Sequence, residues 1–303
     1  MRASLNRRSS RRFLLRQSNQ KRSTDRTMNP KTLYISDLDG TLLQNDQTVS
    51  AFTAQTVNKL IEKGLLFSYA TARSHTTASK VTKNLKFRIP VIVFNGTFVV
   101  DTDTKNRLIS NTFTQEETKR ISDILIKHQI YPIVNAFFSD REKFSYVLGK
   151  ETHGIHTFIQ ERQGDDRKRA VFGNTELYDG EVFHVACIDE EEKLRPAYEY
   201  LQKDFPCVLY RDIYGGETWL EIHPKGATKA SALLALKKML NCDKVVCFGD
   251  GKNDIPMFRI ADECYAVENA DPSLKAIATA VIESNEADGV AKWLLANGKI
   301  EEF

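Results

Sequence analysis

No apolar run in this 303-residue chain approaches the roughly 18 residues needed to span a bilayer. The longest runs, such as Val91–Phe94 and Val245–Phe248, have the length of buried strands. The expectation is a protein with no membrane partner. Cysteine is sparse and scattered: Cys187, Cys207, Cys242, Cys247 and Cys264 include no CxxC pair. An odd count in so long a chain argues against a disulfide framework and fits a reducing, cytoplasmic compartment. The six histidines form no ligand set on sequence alone. His153 and His156 can share a helical face, but no acid or cysteine nearby completes a zinc site. Internal repeats are absent, and biased composition is confined to the first residues.

Basic charge is also missing from the body of the chain. Residues 1–27 hold eight Arg and one Lys against one Asp, a balance of +8 out of a net +3, so the remainder carries −5. The basicity belongs to a tail, and nucleic-acid binding is not inferred from it. The tail is Arg- and Ser-rich and almost free of acid, the composition of an organellar transit peptide. The competing readings are a disordered tail or a true start at Met28.

What is present is an interrupted α/β rhythm. Lys31–Ser36 reads as a buried strand, residues 49–63 as a helix stopped by Gly64, Leu65–Ala70 as a second strand and Val91–Phe94 as a third. Alternating strands and helices predict a parallel sheet. After about residue 105 the pattern changes. Thr114 and Glu117 form a capping box ahead of a helix. Strand-like Phe144–Leu148 and Val182–Ile188 flank the charged loop Arg162–Arg169, its Asp165–Arg169 stretch read as solvated, and a helix follows over Glu190–Leu201. This predicts a small α+β domain with an antiparallel sheet. The α/β rhythm returns near Thr218, with strands at Trp219–His223, Lys244–Phe248, Tyr265–Val267 and Val281–Glu283 and a helix over Ala230–Leu240. The expected organisation is a tail (1–27), a Rossmann-like core (28–106 and 213–303) and an inserted domain (107–212).

In open α/β sheets ligands bind at the carboxyl ends of the strands, where the conspicuous residues fall. They are Asp37-Leu38-Asp39-Gly40-Thr41-Leu42, Thr71-Ala72-Arg73, Asn95-Gly96 and Gly249-Asp250-Gly251-Lys252-Asn253-Asp254. Clustered carboxylates need a cation to remain ionised. All-oxygen ligands favour a hard one, Mg²⁺. A carboxylate can attack phosphorus covalently. Asp37 and Asp39, two apart in an extended segment, point to the same side, so one can attack while the other moves a proton.

These segments resemble the haloacid dehalogenase superfamily of phosphatases, and its Cof-like branch, which carries a large α/β cap, most closely. Asp37–Leu43 (DLDGTLL) and Gly249–Met257 (GDGKNDIPM) are full matches. Ala70–Arg73 departs from the family pattern only at Ala72, where Gly is usual. Asn95–Thr97 and Lys225–Leu233 resemble the family's NGA and lysine segments, and Glu268–Ala278 and Ser284–Leu294 its closing segments. The resemblance covers about residues 31–297 and rests on position and length in the cap.

The resemblance implies roles residue by residue. Asp37 is the nucleophile that forms an aspartyl-phosphate, and Asp39 is the general acid and base. Mg²⁺ is held by Asp37, Asp250 and the Asp39 backbone carbonyl, supported by Asn253 and Asp254. Thr71 and Lys229 bind the phosphoryl group, and Lys229 aligns better than the competing Lys225. Arg73, Asn95 and Gly96 are candidate substrate or phosphate contacts, with a structural salt bridge the alternative for Arg73. The implied substrate is a small phosphomonoester such as a sugar phosphate, the implied assembly a monomer or homodimer. A phosphomutase, or a binding protein without turnover, is the competing reading.

Overall fold

The computed structural model describes residues 30–139, 141–211 and 216–300. The basic tail lies outside them, as does part of the segment after Tyr210. In chain order the strands are β1 (Thr32–Ser36), β2 (Leu66–Tyr69), β3 (Val91–Val93), β4 (Phe98–Val100), β5 (Arg107–Ser110), β6 (Ile133–Phe138), β7 (Arg141–Val147), β8 (Lys168–Val171), β9 (Glu181–Asp189), β10 (Cys207–Arg211), β11 (Thr218–Ile222), β12 (Lys244–Gly249), β13 (Glu263–Val267) and β14 (Ala280–Ile282). The chain divides into two compact units. Residues 109–232, with Phe94–Phe98, form the second, and the flanking segments form the first.

The first unit is built on a parallel five-stranded sheet in the order β14-β13-β12-β1-β2. Every residue of β1 is buried, as are Val245–Gly249 of β12, so these strands read as continuous apolar runs rather than alternating ones. From β1 the chain winds outward to β2; it later re-enters on the other side of β1 as β12 and winds the opposite way to β13 and β14. The β1/β12 boundary is therefore the point where the winding reverses and the connecting loops diverge, leaving a crevice beyond the carboxyl ends. Helices cover the sheet. The Ala51–Glu62 helix starts at Ser50, whose side chain accepts from the Thr53 amide, and buries Val57, Leu60 and Ile61 on one face.

The second unit carries a six-stranded sheet in the order β10-β11-β9-β6-β7-β8. All its pairs are antiparallel except β7–β8, which is parallel. The Thr114–Glu117 capping box opens the Gln115–Lys127 helix as the sequence predicts. That helix and Glu191–Leu201 cover one sheet face, where Ile121, Leu125, Val134, Val185, Leu194 and Leu220 are among the buried residues.

Two sequence expectations change here. The strand at Trp219–His223, grouped with the returning parallel rhythm, pairs antiparallel with both β9 and β10. Its burial alternates residue by residue, the mark of a strand with two unlike faces. The charged stretch Asp165–Arg169 is only in part a solvated loop, with Asp166 and Lys168 exposed. Lys168–Val171 forms β8, and the Arg167 guanidinium bonds Glu142 at 2.7 Å and Asp165 at 2.6 Å with all three side chains largely buried. Paired and hydrogen-bonded charge of this kind tolerates burial where a single charge does not. All five cysteines are free thiols, four of them buried.

Candidate active site

Asp37 is the first residue beyond β1 and Asp250 the first beyond β12. The β1–β12 register pairs Ser36 with Phe248, so the two acids leave neighbouring strand ends. The Asp37 amide donates to the Phe248 carbonyl at 3.0 Å, carrying the ladder one residue into the loop. Asp37, Asp250 and Asp254 each present a carboxylate oxygen within 4.8 Å of the others'. Asp37 is 5% exposed and Asp254 fully buried, so this is a shielded cluster and not a surface patch. Hard oxygen donors in a tight group, with no His or Cys among them, fit a divalent cation of the Mg²⁺ type.

The loop after β12 is built around Asp254. Its Oδ2 accepts from the backbone amides of Asp250 and Gly251, each at 3.0 Å, which folds Gly249–Asp254 back on itself and aims Asp250. The Asp250 Oδ1 accepts from the Thr41 hydroxyl at 2.9 Å, and the Asp250 carbonyl accepts from the Asp271 amide at 2.8 Å. The loop after β1 turns at Gly40, whose φ of +71° is readily adopted only by glycine. A methyl group there would also run into the Asp250 carboxylate. The Gly40 carbonyl accepts from the Asn269 amide group at 2.7 Å, tying the loop to the segment after β13. Asn253 lies in the short turn Lys252–Asp254.

Asp39 projects from the same loop, its side chain about half exposed. Both of its oxygens accept from Arg73, Nε at 2.8 Å and Nη2 at 2.5 Å, and Arg73 also donates to Gln47 at 2.8 Å. The bonds to Asp39 are the main cause holding the Arg73 guanidinium above its ordinary pKa; burial opposes them, and the Asp39 and Asp37 charges add to the rise. Thr71 is fully buried just past β2, its amide donating to the Ile92 carbonyl at 3.1 Å and its hydroxyl accepting from the Arg73 amide at 3.1 Å. The first unit thus gathers Asp37, Asp39, Thr71, Arg73, Asp250, Asn253 and Asp254 in the loops that follow β1, β2 and β12.

Asn95, Gly96 and Lys229 belong to the second unit. Phe94, Asn95 and Gly96 all have positive φ, a run that only a tightly determined turn sustains. Gly96 packs directly on the Thr228–Lys229 backbone. Lys229 opens the Lys229–Leu240 helix and is 2% exposed, whereas the Lys225 side chain is 60% exposed and faces Glu117 at 3.6 Å. A Gly96→Ala change would strain φ and drive its methyl into the Thr228 carbonyl. We expect it to cost about 2–4 kcal/mol of stability, read as a lower denaturation midpoint. An unchanged midpoint would show that this turn yields freely.

Sequence reasoning assigned no role to Thr41, Gln47 or Asn269. Thr41 stands inside the first matched segment and Asn269 inside a closing one, so their positions were visible. Their partners were not, because each bond joins or braces loops whose proximity only the fold supplies.

The fold defines a Rossmann-like α/β enzyme core with acids at its switch point. A family model described as haloacid dehalogenase-like hydrolase matches residues 34–294. The chain belongs to the haloacid dehalogenase-like hydrolases, in their Cof-like phosphatase branch. It is similar to YwtE of Bacillus subtilis, a 5-amino-6-(5-phospho-D-ribitylamino)uracil phosphatase, at 28% identity over 85% of this chain and 95% of that protein. It is also similar to YitU of Bacillus subtilis, a phosphatase of the same printed activity, at 25% identity over 86% and 96% of the two chains. Among solved structures, TM0651 of Thermotoga maritima superposes with a TM-score of 0.73 at 24% identity, covering 90% of this chain and 99% of that one. That likeness shows the fold. Among the described residues no helix is long and apolar enough to cross a membrane.

Proposed function

We propose that this phosphatase hydrolyses small phosphomonoesters through an aspartyl-phosphate on Asp37, with Mg²⁺ as its metal. The observation that carries the reading is the grouping of Asp37, Asp250 and Asp254 within 4.8 Å at the end of adjacent parallel strands. An Asp37 oxygen attacks phosphorus as the bond to the leaving oxygen breaks. Asp39 gives its proton to that oxygen, then as a carboxylate takes a proton from the water that attacks the aspartyl-phosphate. Inorganic phosphate leaves and Asp37 is regenerated. For the acid step Asp39 must give up part of its pairing with Arg73, so Arg73 positions and releases it. Asp37, Asp250 and the Asp39 carbonyl are the proposed metal ligands, with Asp254 and Asn253 in support, and the cation would offset charge on the phosphoryl oxygens.

The buried Thr71 hydroxyl and, by its place in the lysine segment, Lys229 are assigned to binding those oxygens; Asn95 and Gly96 are kept as substrate contacts. We further propose that the second unit acts as a cap whose movement selects substrate. Two relatives are named for a phosphorylated ribityl compound. They support a phosphorylated sugar or sugar alcohol as the substrate class.

A panel of phosphomonoesters assayed for free phosphate with Mg²⁺ tests the reading. Release from sugar or polyol phosphates is expected. A product that retains phosphate at a new position would make the protein a mutase, and binding without turnover would make it a sensor.

A further inference from the structure

The sheet of the second unit has one face covered by the Gln115–Lys127 and Glu191–Leu201 helices; the other, where the His153–Gln160 helix packs on Ile133 and Ile188, carries an unexpected polar group. Antiparallel register places Asn135 of β6 opposite His184 of β9, and Ala186 opposite Glu221 of β11. Residues two apart on a strand share a face. His223, just past β11, therefore falls beside His184 and next to Glu221, and their rings lie 4.9 Å apart between centroids.

The group is buried. His184 is 8% and His223 5% exposed. The His184 Nε2 lies 3.7 Å from one Glu221 oxygen and the His223 Nε2 3.5 Å from the other. Neither separation makes a hydrogen bond with good geometry, and both ring nitrogens of His223 are buried without a hydrogen-bond partner. Buried imidazole nitrogens are ordinarily satisfied, and one left bare calls for an explanation.

We propose that His184, Glu221 and His223 bind a divalent transition metal, with Zn²⁺ the ion best matched to them. Two imidazoles and a carboxylate are a known zinc donor set that leaves a fourth position for water or a ligand oxygen. Tetrahedral bonds of about 2.0–2.1 Å put donor atoms roughly 3.3–3.4 Å apart. The observed 3.5 and 3.7 Å run to different oxygens of Glu221, so the carboxylate would turn to offer one oxygen to the ion as the donors draw together. One donor atom from each residue already lies within 4.8 Å of the others. A metal-bound histidine is commonly oriented by a hydrogen bond at its other nitrogen. The Asn135 Nδ2 lies 2.9 Å from the His184 Nδ1, so the side chain is in place to supply one. With the amide turned so that its oxygen accepts from Nδ1–H, the Nε2 lone pair is free for the ion. The ion would tie β9 to the end of β11 and give one of the two bare His223 nitrogens a partner. Nitrogen donors separate this site from the all-oxygen Asp37–Asp250–Asp254 cluster, and the proposal does not depend on what that cluster does.

The test uses full-length protein loaded with Zn²⁺, dialysed against excess Mg²⁺ and assayed for retained metal. Wild type and Asp250→Asn are each expected to keep about one zinc per chain, and His223→Ala and the near-isosteric Glu221→Gln to lose it. Co²⁺ loading should give wild type the visible absorption of a low-coordinate nitrogen–oxygen site, and Zn²⁺ should raise its thermal midpoint. These last two readings stand even if a variant fails to fold. Wild type that keeps no zinc, or shows neither the cobalt spectrum nor the thermal shift, overturns the proposal. So does a folded His223→Ala variant that keeps as much metal as wild type.

Discussion

Replacing Asp37 with Asn is expected to lower kcat/KM for phosphomonoester hydrolysis by about 10⁴-fold or more. The amide is close to isosteric with the carboxylate, so packing beyond β1 is retained, and the Asp37 backbone bond to Phe248 does not involve the side chain. What disappears is an anionic oxygen able to form the new bond to phosphorus. The loss should therefore be in chemistry and not in folding. Thermal midpoints of wild type and variant are expected to agree closely, while steady-state rates diverge. If the Asn variant keeps activity within tenfold of wild type, Asp37 is not the nucleophile. A matched Asp39→Asn variant is expected to be severely slowed as well, but with a changed pH profile, because the missing function there is proton transfer.

The second large effect concerns the metal. Chelation with EDTA is expected to reduce activity by roughly two to three orders of magnitude, with recovery on adding Mg²⁺. Asp254→Asn is expected to raise the half-saturating Mg²⁺ concentration by about 10- to 100-fold, the usual effect of losing an outer support for metal ligands. Asp254 is fully buried and accepts two backbone amides at 3.0 Å, so its charge both shapes the loop and aims Asp250. Asn keeps one acceptor oxygen but loses the charge, which separates the electrostatic part from the geometric one. Activity indifferent to EDTA, or an Asn variant with the wild-type Mg²⁺ dependence, would remove the metal from the reading.

The clustered acids Asp37 and Asp250 were legible in the sequence because each follows an apolar strand directly. A short buried run ending in Asp37 or Asp250 is local information, and so are the Thr114 cap and the turn at Gly40. The second unit was less legible. β6 and β10 went unread as strands, β8 lay within charges taken for a loop, and β11 was grouped with the wrong sheet. A strand's partner is set by packing between distant segments, and alternation along β11 says only that one face is buried. Arg73 was left open between a substrate or phosphate contact and a salt bridge, with no partner named. The structure shows its bidentate pair with Asp39, and the proposed chemistry asks that the pair open.

By itself, the sequence determined which donors stand where: oxygen-rich loops directly after apolar strands, the pattern from which the metal site and the carboxylate nucleophile are proposed. Only the tertiary structure decided which groups meet. It put Asp37 beside Asp250 across more than two hundred residues of chain, through the parallel β1–β12 register. It also brought His184 to Glu221 and His223 by antiparallel pairing, a relation hidden by the distance of His184 from the other two in sequence. The reason is physical. Side-chain chemistry belongs to a residue, but proximity belongs to strand register and burial, which the whole chain settles at once.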